Sequence, residues 1–101
     1  MRMLMDITFP VEPFNTAVHN GTAGATLKRI LDDIKPEAAY FTARDGHRGG
    51  ILVVNVEHAS DIPRFAEPFF LQFNAQVELD PAMLPEDLAK ADLNALGKKW
   101  S

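Results

Sequence analysis

The chain has 101 residues, 47% of them hydrophobic and 24% charged, which suits one globular domain with a single core. Its net charge is −4 and it has no cysteine, so thiol catalysis, cysteine-held zinc, iron–sulfur clusters and disulfides are excluded. No run of Lys or Arg exceeds two residues, against the basic stripe that nucleic-acid binding requires, and no apolar stretch is long enough to span a membrane.

Residues 2–9 alternate, with Met3, Met5, Ile7 and Phe9 on one face and Arg2, Leu4, Asp6 and Thr8 on the other. This is the pattern of a strand with one face in the core, ended by Pro10 and Pro13. Asp6 follows the N-terminus too closely for a signal peptide, so a cytoplasmic protein is the expectation. A helical region runs from about Pro13 to Ile34. Gly21 and Gly24 predict a kink or short loop within it, and Leu27, Ile30, Leu31 and Ile34 mark its second half. Lys35-Pro36 closes that helix.

Ala38–Arg44 is the second expected strand, with Ala39, Phe41 and Ala43 opposite Tyr40, Thr42 and Arg44. Asp45–Gly50 reads as a turn whose glycines accept positive φ. Ile51–Glu57 is a third strand, apolar on both faces and hence central. Ser60 or Asp61 is expected to cap the second helix, Pro63 suits its first turn and Pro68 predicts a kink. Ala75–Asp80 is the fourth strand. A third helix starts at Pro85, with Glu86 and Asp87 in its first turn, Lys98 and Lys99 at its far end, and Gly97 as its stop. The order strand–helix–strand–strand–helix–strand is that of an α+β, ferredoxin-like fold with an extra C-terminal helix and a four-stranded antiparallel sheet. Two helices cannot cover all the apolar strand residues. The expected remedy is a homodimer whose sheets pack face to face.

Three histidines occur: His19, His47 and His58. None sits at the helical spacing of a metal pair, so no metal and no cofactor is expected. Rim positions are the plain reading of all three; the sharper one has a histidine line the cleft between sheet and helices as acid, base or axial ligand, and His58, at the end of the third strand, is the choice. Glu67 lies among Phe65, Ala66, Phe69 and Phe70. Beside an aromatic face its carboxyl would be desolvated and suited to acid–base catalysis; otherwise it holds the backbone opened by Pro68 or faces solvent. Tyr40, the only tyrosine, is either a ligand contact or a core or interface residue. Arg48, between Gly46 and Gly49-Gly50, could cradle an anion, although a plain turn explains the loop. Phe69 and Asn74 complete the candidate ligand-binding set, and the stripe Phe65, Phe69, Phe73 has the spacing of core.

Four segments carry a resemblance: Lys35-Pro36-Glu37-Ala38-Ala39-Tyr40-Phe41; Gly46-His47-Arg48-Gly49-Gly50; Ala66-Glu67-Pro68-Phe69-Phe70 with Phe73-Asn74-Ala75; and Pro81-Ala82-Met83-Leu84-Pro85-Glu86-Asp87-Leu88. Through them the chain resembles an uncharacterised family of small bacterial proteins in the dimeric α/β-barrel superfamily. The resemblance covers nearly the whole chain. It implies paired ferredoxin-like subunits whose sheets close into a barrel. It implies little about activity, because that superfamily includes cofactor-free monooxygenases, lactone isomerases, haem-degrading enzymes, peroxidase relatives and ligand-binding proteins. The leading functional expectation is a homodimer that binds a small apolar or aromatic molecule in a cleft between sheet and helices. The alternatives are a cofactor-independent monooxygenase or isomerase using Glu67, His58 and Tyr40, and an interaction module whose last helix docks on a partner.

Overall fold

A computed structural model describes residues 1–101. It is an α+β structure in which four antiparallel strands form one sheet: β1 (Arg2–Phe9), β2 (Ala38–Arg44), β3 (His47–Asn55) and β4 (Gln76–Pro81), in the order β2-β3-β1-β4. That arrangement is compatible with a ferredoxin-like fold. The helices are α1 (Val11–His19), α2 (Ala23–Ile34), α3 (Ile62–Phe73), α4 (Pro85–Ala91) and α5 (Leu93–Lys99), with a 3₁₀ turn at Ala59–Asp61. No helix is long and apolar enough to cross a membrane.

The alternation of β1 sets the two faces of the sheet. Met3, Met5, Ile7 and Phe9 are buried under the helices. Their cross-strand partners Val54 and Leu52 on β3, and Leu79 and Val77 on β4, therefore share that face. Against it pack Ile30 and Ile34 of α2 and Phe65, Phe69 and Phe73 of α3. The phenylalanine stripe is thus core. Phe9 meets Phe14, Phe69 and Phe73 edge to face, with ring centroids 5.1, 6.2 and 5.3 Å apart. Such pairs add to the burial each ring brings.

The break expected near Gly21 is a turn between two helices. Asn20 closes α1, and Gly21 takes φ +73°. Pro13 lies in the first turn of α1. Glu12 before it is extended, and its carboxylate accepts from the Thr16 N–H (3.1 Å) and hydroxyl (2.7 Å), which holds that carboxyl below its ordinary pKa. Lys35 ends α2 in the left-handed region, its N–H reaching the Leu31 carbonyl at 2.9 Å.

Four local expectations need correction. Neither Ser60 nor Asp61 caps α3 through its side chain; the Asp61 carboxylate instead accepts from the His58 N–H at 3.3 Å, bracing the 3₁₀ turn. Pro68 lies inside α3, where it was expected, and the helix continues to Phe73 and ends at Asn74, φ +53°, where the Ala75 N–H returns to the Phe69 carbonyl. The C-terminal helix is two helices, broken at Asp92 (φ +54°), whose carboxylate caps α5 through the Ala95 N–H at 3.2 Å. α5 passes through Gly97 rather than stopping there.

The fourth correction concerns Asp45–Gly50. Only Asp45 and Gly46 form the turn, both at positive φ (52° and 75°), as a two-residue hairpin requires. His47 to Gly50 belong to β3. Gly49 and Gly50 serve packing, because each leaves room for a side chain from β2 to lie across β3.

α4 and α5 bury no side chain. The radius of gyration is 17.1 Å, against about 13 Å for a compact domain of this size. The longest dimension is 59 Å, so the C-terminal residues extend the molecule away from the sheet-and-helix body.

Candidate functional site

The sheet face turned away from the helices carries two kinds of surface. Toward the start of β1, Leu4 stands opposite Val53, and Ile51 opposite Tyr40. These four make an apolar block in which Leu4 is 44% and Tyr40 69% exposed. Toward the other end of β1 the same face is polar. A groove of about 630 Å³ opens there, lined by Asp6, Thr8, Pro10, Arg44, Asp45, His47, Asn74, Gln76 and Glu78.

Arg44 organises this groove. It projects from β2, while its partner Asp6 is on β1, two strands away. The strand between them offers Gly49, where an added Cβ would lie 3.6 Å from Arg44 Nη2 and 3.1 Å from the Ile7 carbonyl oxygen. With no side chain in the way, the guanidinium crosses β3 and binds the Asp6 carboxylate with both nitrogens. The Nη1–Oδ2 contact is 3.2 Å, and Nη2 closes onto Oδ1. Hydrogen bonding from Arg44, more than its charge, holds the Asp6 carboxyl below its ordinary pKa; the same bond raises that of Arg44.

Around this pair the lining is rich in acceptors. Glu78 is the direct cross-strand neighbour of Asp6, and Gln76 that of Thr8. His47 turns Nδ1 to the Asp45 carbonyl oxygen at 3.0 Å. Three carboxylates stand against one guanidinium, so the groove suits a small molecule bearing hydrogen-bond donors or positive charge. No group of three or more His, Asp or Glu side chains is placed to hold a metal ion.

The residues singled out from sequence are scattered over several surfaces. Of the ligand-binding set, Asn74 alone lines this groove. Tyr40 is on the same sheet face but in the apolar block. Arg48 is on the opposite face, its guanidinium 4.5 Å from the centroid of the Phe14 ring, so it stacks on an aromatic and cradles no anion in a loop. Phe69 is fully buried among core aromatics. Glu67 is exposed on the outer surface of the helix layer, in a second groove of about 750 Å³ between α2 and α3 that it shares with Arg29, Asp32, Asp33 and Arg64. It therefore faces no cleft between helices and sheet. His58 is exposed at the loop before the 3₁₀ turn, and His19 is exposed in the last turn of α1. Glu67, His58 and Tyr40 are not brought together, and one small substrate on one subunit cannot touch all three.

Asp6, Arg44 and Glu78 were not among those candidates. Their signal lay in the alternation, which put Asp6 and Arg44 each on the polar side of its strand. What the alternation lacked was the strand order and the gap at Gly49. Neither a scan against known protein families nor a search of characterised proteins finds a match for this chain.

Proposed function

We propose that the chain is a ferredoxin-like subunit of a homodimeric α/β barrel, and that it is a binding protein for a small, polar, donor-bearing molecule held in the groove at Asp6 and Arg44. The observation that carries this reading is the division of the open sheet face. An apolar block of Leu4, Val53, Ile51 and Tyr40 lies next to a groove whose lining residues, Pro10 apart, all bear polar side chains. An exposed apolar block on a sheet face asks for a partner surface. A second copy brought there about a two-fold axis would roof the groove as it covers the block. The Asp6–Arg44 pair would then be desolvated, which strengthens its hold on a ligand's polar groups.

The polarity of the lining favours a ligand different from the apolar or aromatic one expected from sequence. An interior built as this groove is leaves amide, carboxylate and imidazole groups to be satisfied, and a hydrocarbon satisfies none of them. Catalysis by Glu67, His58 and Tyr40 has no comparable support, because their placement offers no shared site.

The test is a fragment screen followed by backbone amide NMR on the intact protein, with amines and polyols set against aromatic hydrocarbons. Amines or polyols should shift the signals of Asp6, Thr8, Arg44, His47 and Gln76, and Arg44→Met should abolish those shifts. Aromatic fragments binding instead between α2 and α3, around Glu67, would overturn the assignment.

A further inference from the structure

We infer that residues 82–101 are an exchange arm: α4 and α5 reach across to a second copy of the chain and pack along the β4 margin of its open sheet face. The inference rests on the homodimer proposed above and specifies what closes it.

The arm cannot be explained by its own subunit. Met83, Leu84, Leu88, Leu93, Leu96 and Trp100 are between 42% and 77% exposed. No side chain of either helix is buried, and the segment stretches the molecule to 59 Å. Apolar side chains repeated along two successive helices with no cover are the pattern of a surface awaiting a partner.

Area identifies the partner as a second copy. At about 200 Å² for a large apolar side chain, the exposed fractions of Leu4, Tyr40 and Ile51 offer roughly 300 Å². A stable interface buries about 800 Å² on each partner, somewhat more than half of it apolar. The open sheet face alone falls short. The six apolar residues of the arm offer roughly 700 Å² more on the same scale. Arm and sheet block together supply what neither does alone.

Charge locates the arm. On the open face β4 presents Glu78 and Asp80, with Asp6 beside Glu78 on β1. Two such acidic rows brought together by a two-fold axis would repel. The arm holds three carboxylates as well as three lysines, but the charges are separated along it: Glu86 and Asp87 open α4 and Asp92 joins the helices around Lys90, whereas the last turn of α5 carries only the lysines Lys98 and Lys99. Laid along the partner's β4, these lysines face the acidic row, while the leucines of the arm cover the neighbouring apolar block around Leu4 and Val53.

Trp100 is the only tryptophan, so its emission reports the arm alone. The full chain is diluted through the micromolar range, and sedimentation and Trp100 emission are followed together. A dimer is expected whose dissociation shifts Trp100 to solvent-exposed emission with the same midpoint. The double variant Leu93→Glu/Leu96→Glu alters exposed residues only, so circular dichroism should be unchanged while dimer dissociation becomes about tenfold easier or more. A dimer whose Trp100 emission stays solvent-like, and which the double variant leaves equally tight, overturns the arm and leaves the homodimer standing. A monomer at every concentration overturns the homodimer and the arm with it.

Discussion

A methyl group added at Gly50 tests whether the paired glycines of β3 are packing devices. Gly50 lies on the helix side of β3, directly opposite Phe41 of β2. A Cβ there would be 3.1 Å from two carbons of the Phe41 ring, closer than carbon atoms settle without movement. Phe41 is 47% exposed, so about half of its ring is covered. Full burial of a phenylalanine contributes roughly 1.5–3 kcal/mol, and half of that is roughly 0.8–1.5 kcal/mol. Gly50→Ala displaces the ring and forfeits most of this, against a gain of about 0.5–1 kcal/mol from replacing glycine within a strand. The single variant should therefore be slightly destabilised, and Phe41→Ala should lose roughly 0.8–1.5 kcal/mol. In the double variant the obstruction is gone and the gain at position 50 returns. The two changes should then be non-additive by about 1 kcal/mol, in the direction of rescue. Urea unfolding of the four proteins under identical conditions measures it. Strict additivity, or a Gly50→Ala chain more stable than the parent, would refute the packing role.

Other consequences can be measured independently. Phe69→Ala empties a fully buried position among Phe9 and its neighbours, and should cost roughly 3–5 kcal/mol, enough to lower the urea midpoint sharply. Arg44→Met should lower the melting temperature at neutral pH. The Asp6 carboxyl is depressed in the folded chain, so its stabilisation is present above the ordinary carboxylate range and is lost as pH falls through the folded value. Parent and variant should converge in strongly acidic buffer, and a difference that persists there would show that Arg44 acts by packing alone. Val53→Asp places a carboxylate in the apolar block, and the sedimenting species should become a monomer with retained circular dichroism. An undiminished dimer would move the interface elsewhere.

Much of the fold was legible because two periodicities carry it. The alternation Met3, Met5, Ile7, Phe9 marked the core face of β1, and the spacing Phe65, Phe69, Phe73 marked the buried stripe of α3. Both reflect residues that must be inside wherever the rest of the chain goes. Breaks were harder to read. Gly97 looked like a helix stop and is not, whereas Asp92, with no glycine at hand, takes the left-handed conformation because its own side chain caps the following helix. Gly49 and Gly50 were misread for a similar reason. Glycine after a turn suggests backbone freedom, and only the neighbouring strand reveals that the missing side chain matters more. The groove escaped detection because its residues come from all four strands, the β2–β3 turn and the end of α3, and no spacing within any one of them encodes their meeting. Glu67 stood out among aromatics in sequence, yet a helix separates neighbours by 100° each. Phe65, Ala66 and Phe69 turn inward while Glu67 turns out.

The strand order also bears on how the chain assembles. β2 and β3 are joined by the two-residue turn Asp45-Gly46, whereas β1 must find β3 across nearly the whole first half of the molecule. Closing that longer loop costs roughly 2.5 kcal/mol more in chain entropy than closing the hairpin. The hairpin therefore forms ahead of the sheet and waits with one edge of β3 open. Until β1 arrives, that edge, with Leu52 and Val54 unpaired beside it, is the part of the nascent chain most prone to pairing with the wrong molecule. Synthesis order works in favour of the correct partner, since β1 leaves the ribosome first and is already present when β3 emerges.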